Sequence, residues 1–140
     1  MTHTVLAPLP TGTSDFETLR DRGQIYVDKT ALIYKLASRS EKFFLTRPRR
    51  FGKSLLVSTF ASLFKNGLKY FSGLAIEKLW KDTTYNVVEI DFSEIKNITG
   101  FEDFKKQLNE TLESAFKPLG FELNRSSDIS LMKQLSAWMK

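Results

Sequence analysis

The sequence predicts an α/β fold in which a parallel β-sheet is flanked by helices. Two short apolar runs, KFFLT at residues 42–46 and NVVEIDF at residues 86–92, have the composition of strands that are buried on both faces. Between them, KSLLVSTFASLFK repeats leucine and phenylalanine at helical spacing. A strand, a crossover helix and a second strand make the two strands parallel. Because an open parallel sheet usually needs more strands, we expect these 140 residues to be the first part of a larger, incomplete domain.

Two helices are expected before the first strand. Ser14 and Glu17 have the spacing of a capping box, which predicts a short helix, DFETLRDR, that ends at Gly23. After a brief extended piece, IYV, Asp28 is placed to cap a second helix, KTALIYKLAS. The residues that this second helix is predicted to turn inward are Ala31, Leu32, Tyr34 and Leu36.

The remaining elements are also predicted to be helical, apart from the second strand. One or two short helices are expected after Gly67, and their aromatic residues Tyr70, Phe71 and Trp80 fit core packing better than base stacking because their neighbours are apolar. A longer helix, FEDFKKQLNETLESAFKPLG, is expected to end at Pro118 and Gly120. Its inward residues are Phe101, Phe104, Leu108, Leu112, Ala115 and Leu119. In the last helix, the residues on one face are Leu131, Leu135 and Trp138.

Composition excludes several kinds of site. The sequence has no cysteine, which excludes disulfides, thiol catalysis and thiolate metal sites. The single histidine, His3, lies in a segment, residues 1–13, that we expect to be flexible, which excludes a histidine metal centre and a Ser-His-Asp hydrolase. No apolar run approaches the roughly 18 residues that span a bilayer, and the start does not have the features of a signal peptide. We therefore expect a cytoplasmic protein with no membrane partner.

Positive charge is concentrated in the first part of the chain. The net charge is +5, and residues 1–60 hold 10 basic and 5 acidic residues, whereas residues 61–140 hold 11 of each. A basic field of this kind attracts the phosphate groups of a nucleotide or of a nucleic acid. The alternative is a solvated basic surface.

The stretch TRPRRFGKSLL carries the candidate chemistry. A phosphate loop, G-x-x-x-x-G-K-[ST], wraps phosphates with backbone N–H groups, while its lysine reaches the β and γ oxygens and its hydroxyl residue holds Mg²⁺. Gly52, Lys53 and Ser54 fill the last three positions, but Arg47 replaces the first glycine and Pro48 removes one N–H donor. The candidate nucleotide-binding residues are Arg47, Pro48, Arg49, Arg50, Phe51, Gly52, Lys53, Ser54 and Leu55. The alternative is a basic loop that pairs with surface carboxylates.

The sequence resembles a known family over residues 9–92. The segments GTSDFETLRDRGQIYVDKTALIYKLA, FFLTRPRRFGKSLLVSTF, YFSGLAIEKLW and VVEIDFS are similar to the start of the predicted AAA-ATPase-like family of bacteria and archaea, whose members typically carry arginine at the first glycine position. The resemblance implies a P-loop NTPase-type fold, with ATP and Mg²⁺ as ligands. It also implies a nuclease-like domain in many full-length relatives, and it makes these 140 residues the N-terminal portion of the ATPase domain.

Two acidic positions have alternative interpretations. Asp91 lies at the carboxyl end of the second predicted strand and is the nearest candidate for a Walker B acid that binds Mg²⁺. Glu89 interrupts the apolar run and no second acid follows Asp91, so the alternative is that Asp91 caps a turn or pairs with a loop arginine. The resemblance implies that the Walker B acids lie on a later strand, and the catalytic residues stay unknown. In the family signature YVDKT, Tyr26 or Lys29 could approach the base or ribose, or Asp28 could simply cap its helix.

Three functions are therefore consistent with the sequence. The first is binding of ATP and Mg²⁺ as part of an ATPase whose Walker B motif lies beyond this chain. The second is a basic module that binds nucleic acid. The third is a truncated, inactive copy that acts only as a partner surface.

Overall fold

The computed structural model describes residues 6–39, 41–81 and 83–140. The α-helices in these ranges are α1 (Phe16–Asp21), α2 (Thr30–Ala37), α3 (Lys53–Asn66), α4 (Phe101–Phe116) and α5 (Leu131–Trp138), and the 3-10 turns are Ala75–Lys78, Phe92–Glu94 and Lys117–Leu119. The chain divides into two compact units, Met1–Val87 and Val88–Lys140, and each has its own core. The expected flexibility of residues 1–13 falls partly, and the position of His3 wholly, on residues 1–5, which lie outside the described residues.

The predicted parallel sheet is wrong, because the described residues contain helices and no strand. Residues 42–46 have no regular secondary structure and are exposed, and Phe44 is 93% exposed. Residues 86–91 are also without regular structure, and a 3-10 turn begins at Phe92. An apolar run becomes a strand only when a neighbouring segment completes its hydrogen bonds. Apolar composition alone therefore predicted strands at two segments that have no strand partner among the described residues.

The core of the first unit lies where α1 packs against α3 and where α2 packs against the turn at Ala75–Lys78. Its fully buried members are Phe16, Ile33, Leu63, Phe71 and Ile76. Phe16 and Phe71 are in direct ring contact, with their centroids 4.7 Å apart. Tyr70 and Trp80 pack against this core, which confirms that the aromatic residues after Gly67 are core residues.

Polar contacts brace α1 against α3 and the segment after it. The backbone N–H of Phe16 donates to Ser58 Oγ at 3.0 Å, and Asn66 Nδ2 donates to Glu17 Oε1 at 2.6 Å. Arg20 donates from Nε to the Tyr70 carbonyl at 2.9 Å and from a terminal nitrogen to the Ser72 carbonyl at 2.6 Å. The contacts of Ser58 and Asn66 hold α3 against α1 at two points that are about two helical turns apart.

The caps and faces of the first two helices differ in detail from the prediction. The N-cap of α1 is Asp15 and not Ser14, since Asp15 Oδ1 accepts from the Thr18 N–H at 2.8 Å. Hydrogen bonding to the side chain and to the backbone N–H of Thr18 lowers the pKa of Asp15. In α2 the buried residues are Thr30 and Ile33, whereas Ala31 and Leu32 are exposed. The predicted inward face is therefore wrong at these two positions.

The second unit has a small core of Phe121, Leu131 and Leu135. The prediction that Leu131 and Leu135 face inward is confirmed, and Trp138 makes ring contacts with Phe116 and Phe121. The α4 helix ends at Phe116, earlier than predicted, and continues as the 3-10 turn Lys117–Leu119, which ends at Gly120 in the left-handed conformation at φ +91°. No residue of α4 is fully buried, and the side chain of Phe101 is 73% exposed, so the predicted inward face of this helix is mostly half-buried.

Candidate functional site

The candidate phosphate-binding loop, Arg47–Leu55, leads directly into α3 in the first unit. A turn at residues 49–50 and a bend at residues 51–52 bring the chain to the helix, which begins at Lys53. Gly52, the N-cap residue, has φ +71°, a conformation that glycine adopts without a steric cost. Arg50 also has a positive φ, +64°, which is uncommon for a residue with a side chain. The backbone is therefore held in an unusual path immediately before the helix.

The ammonium group of Lys53 folds back onto this loop. Lys53 Nζ donates to the Arg47 carbonyl at 2.5 Å and to the Pro48 carbonyl at 3.4 Å. The guanidinium group of Arg47 donates to the Phe51 carbonyl, also at 3.4 Å. These bonds close residues 47–53 into a compact cationic loop, with the lysine side chain lying along its carbonyl groups.

Backbone donors at the start of α3 are open. The first helical hydrogen bond runs from the Leu56 N–H to the Gly52 carbonyl at 3.0 Å, and Gly52 has no side chain that could cap the helix. Within the described residues, the N–H groups of Lys53, Ser54 and Leu55 have no hydrogen-bond partner. Such N–H groups, together with the helix dipole, favour an anion at this end of the helix.

The arginines of the loop are exposed. Arg47, Arg49 and Arg50 form no ion pair with a carboxylate in the part of the chain that the structure describes. The alternative that this loop is a basic surface paired with carboxylates thus has no support in these residues. Exposed guanidinium groups in the loop that leads to open N–H donors are chemically suited to phosphate oxygens.

The predicted metal-binding residues lie in different units. Ser54 is exposed at the start of α3, so its hydroxyl is accessible to a cation that is shared with phosphate. Asp91 lies in the second unit, where its Oδ1 accepts from the Ser93 N–H at 2.8 Å and caps a 3-10 turn. That hydrogen bond lowers the pKa of Asp91. No cluster of three or more acidic or histidine side chains suited to a metal ion is found among the described residues, and a metal role for Asp91 stays a prediction.

Hydrogen bonds to Asp28 and Thr30 of the YVDKT segment join the start of α2 to the 3-10 turn Ala75–Lys78. Asp28 Oδ1 accepts from the backbone N–H and the hydroxyl of Thr30, the first residue of α2, at 2.8 and 2.7 Å. The N-cap residue of α2 is Lys29 and not, as was predicted, Asp28. Asp28 Oδ2 also accepts from the Ala75 N–H at 2.7 Å, and the hydroxyl oxygen of the buried Thr30 accepts from the Ile76 N–H at 3.0 Å. Burial opposes ionisation of Asp28, but these hydrogen bonds and the charge of Arg20 outweigh it, so the pKa of Asp28 is lowered.

Replacing Asp28 with asparagine is expected to destabilise the first unit by about 1 kcal/mol at pH 7, because the ionised carboxylate accepts three hydrogen bonds. A lowered folded-state pKa stabilises the fold above the unfolded value of about 3.9, and this stabilisation is lost as the pH falls through the folded value. Urea unfolding at pH 7 and pH 3 should therefore show a smaller difference between wild type and Asp28→Asn at the lower pH. An equal difference at both pH values would contradict this assignment.

An apolar groove lies beside the loop, between residues 25–29, α2 and the first turn of α3. Its volume is about 380 Å³, and Tyr26 and Lys29 contribute to its wall together with Arg47 and Gly52 of the loop. The apolar side chains that line it include Ile25, Val27, Leu32, Leu36, Leu55 and Leu56. Helical spacing had assigned Leu32 and Leu36 to the core, because periodicity identifies an apolar face but does not reveal whether that face is covered.

None of the helices in the described ranges is long and apolar enough to cross a lipid bilayer.

Comparison with known proteins agrees with the resemblance of the motifs. A curated relative, the uncharacterized protein in the vnfD 5' region of Azotobacter chroococcum mcd 1, is 41% identical over 73 residues, which make up 51% of this chain and 14% of that protein. The chain thus spans a small part of the length of this relative. No solved structure matches the chain. The family described as Predicted AAA-ATPase matches residues 10–140, which is nearly the whole chain. The chain therefore belongs to the predicted AAA-ATPase family.

Proposed function

We propose that this chain binds ATP with Mg²⁺ through the loop Arg47–Leu55. The observation that carries the proposal is the combination of open N–H groups at Lys53, Ser54 and Leu55 with arginines that have no acidic partner among the described residues. N–H donors and positively charged side chains lie together at the start of α3, and both are needed to bind a polyphosphate. Membership in the predicted AAA-ATPase family supports a nucleotide as the source of that polyphosphate.

Each residue of the loop has a distinct role in this proposal. Lys53 leaves the Arg47 and Pro48 carbonyls and contacts the β and γ oxygens, while the N–H groups that follow it contact the same phosphates. The Ser54 hydroxyl holds Mg²⁺, which also binds phosphate oxygens. Arg49 and Arg50 provide paired donors for the outer oxygens. We place this binding in a cytoplasmic protein. A nuclease-like domain in full-length relatives is a separate expectation from the family resemblance.

Titration of the purified chain with ATP and Mg²⁺ tests this function. Thermal unfolding should shift upward with ATP concentration, since a ligand that binds the folded state stabilises it by about 2.7 kcal/mol at a hundred times its Kd. Calorimetry at the same ionic strength gives the affinity directly. AMP, which lacks the β and γ phosphates, is the matched control and should bind much more weakly. The absence of any shift with ATP would contradict the proposal and favour an inactive copy.

Nucleic acid is a second candidate ligand, because an exposed aromatic pair precedes the arginine-rich loop. Phe43 and Phe44 are both exposed and follow Lys42, and single-stranded nucleic acids bind to surfaces that combine stacking aromatics with cations. This candidate predicts that an unstructured oligonucleotide binds with an affinity that falls steeply with salt. ATP binding without any oligonucleotide binding at low salt would exclude it.

A further inference from the structure

The first turn of α3 has no side-chain cap and is held instead by hydroxyl groups of the next turn. Gly52 has no side chain that could cap the helix, and uncapped helix ends fray, which turns their N–H groups away from a common direction. The Leu55 carbonyl in this turn accepts from the Thr59 hydroxyl at 2.6 Å and from the Ser58 hydroxyl at 3.0 Å. Two side-chain hydroxyls therefore converge on one carbonyl of the turn that carries the open N–H groups.

The Thr59 hydroxyl connects this turn to Tyr26 of the YVDKT segment. Thr59 is fully buried, and its side chain is hydrogen-bonded to the phenol of Tyr26. Because the single hydroxyl proton of Thr59 goes to the Leu55 carbonyl, the Tyr26 hydroxyl donates to Thr59 Oγ1. Burial raises the pKa of Tyr26, so the phenol keeps this proton at neutral pH. The Tyr26 ring is held by an edge-to-face contact with Phe16, with the ring centroids 5.1 Å apart, so the hydrogen bonds run from a fixed phenol through Thr59 to the first turn of α3.

We propose that Tyr26 is a positioning residue for phosphate binding, because it holds the Thr59 hydroxyl against the Leu55 carbonyl and thereby keeps the first turn of α3 helical. This inference rests on the proposed function and adds a residue that acts through the helix and not through contact with the ligand. A turn that is already ordered binds an anion without the entropy cost of ordering its N–H groups. In a buried chain of hydrogen bonds, each bond also strengthens the next one. Loss of the phenol hydroxyl should therefore weaken the binding of any polyphosphate at this helix end, whatever organic group it carries.

Tyr26→Phe removes the hydroxyl and keeps the ring, so it tests this role directly. Its affinities for ATP and for inorganic tripolyphosphate, both measured by calorimetry with Mg²⁺, should fall by the same factor of about three- to tenfold, which corresponds to the loss of one hydrogen bond. Thr59→Val should cause a similar loss, whereas Thr59→Ser keeps the hydroxyl and should bind both ligands like wild type. In the Thr59→Val background, Tyr26→Phe should have no further effect, since the hydrogen bond that it removes is already absent.

Tyr34→Phe is the matched control, because Tyr34 packs against the same core from α2 and its variant loses the same chemical group. It should bind both ligands like wild type. Urea unfolding of each variant separates positioning from general stability. A residue with only a structural role lowers the free energy of unfolding and leaves the affinity of the folded chain unchanged, and that result for Tyr26→Phe would overturn the inference.

Two other results would also overturn it. A loss of ATP affinity with unchanged tripolyphosphate affinity would mean that Tyr26 contacts the nucleoside directly. An equal loss in Tyr34→Phe would mean that the effect is not specific to the hydrogen bond with Thr59. If the wild-type chain binds neither ligand, the proposed function itself fails, whereas binding by wild type and by Tyr26→Phe with equal affinity removes only the role of Tyr26.

Discussion

Replacing Lys53 with alanine is expected to weaken ATP binding by about ten- to a hundredfold. A hydrogen bond to a charged group contributes about 1.5–3 kcal/mol, and in the proposed complex the Lys53 ammonium is the group that reaches the terminal phosphates. Isothermal titration calorimetry with ATP and Mg²⁺ measures this loss. The folded state should change little, because the hydrogen bonds from Lys53 to the Arg47 and Pro48 carbonyls are exposed.

The control for this experiment is Lys78→Ala. Lys78 is an exposed lysine in the 3-10 turn Ala75–Lys78, outside the candidate loop and the apolar groove, so its removal subtracts the same charge from the first unit. If both variants lose affinity equally, the basic field of the unit and not the loop attracts the nucleotide. Unchanged ATP affinity in Lys53→Ala would remove this lysine from the binding site.

The largest expected effect on stability comes from Phe71. Phe71→Ala should destabilise the first unit by about 3–5 kcal/mol, because it removes a fully buried ring and leaves a cavity beside Phe16. Phe44→Ala removes a ring that is 93% exposed and should change the free energy of unfolding by less than about 0.5 kcal/mol. Urea unfolding curves of the two variants and wild type provide the comparison.

These two substitutions also test the absence of the predicted sheet. If residues 42–46 formed a strand buried on both faces, Phe44 would be a core residue and its truncation would cost as much as that of Phe71. A large loss of stability for Phe44→Ala would therefore contradict the exposed position of this segment. A small loss, together with a large one for Phe71→Ala, would support a unit whose core is made by helices and turns.

The sequence predicted the helices well because helical periodicity is a local property. The α3 helix begins at Lys53 as expected from KSLLVSTFASLFK, and the 3-10 turn that follows α4 ends directly before Gly120. Strands were predicted wrongly because pairing depends on a distant partner, which residues 42–46 and 86–92 lack in the described part of the chain. The apolar composition of these two segments indicates that they are suited to burial, but it does not show whether a partner strand is present.

The loop of the candidate site could be predicted from the sequence, but the apolar groove beside it could not. The order of Gly52, Lys53 and Ser54 identified the start of a helix with open N–H groups, since those groups follow from the helix itself. The apolar groove depends on how residues 25–29 lie against α2 and α3, which is a tertiary arrangement. Thr30 is a second example of a tertiary arrangement. It is buried and forms hydrogen bonds with Asp28 and with the Ile76 N–H, and residue spacing does not predict these contacts.

The division of the chain into two units gives each unit its own optical reporter. The sequence has two tryptophans, and Trp80 lies in the first unit while Trp138 lies in the second. Each indole makes ring contacts inside its own unit, Trp80 with Phe64 and Tyr85, and Trp138 with Phe116 and Phe121. The tryptophan fluorescence of a Trp138→Phe chain therefore comes from the first unit alone, and that of a Trp80→Phe chain comes from the second. Fluorescence can then follow the unfolding of the loop-bearing unit and of its neighbour as two separate signals.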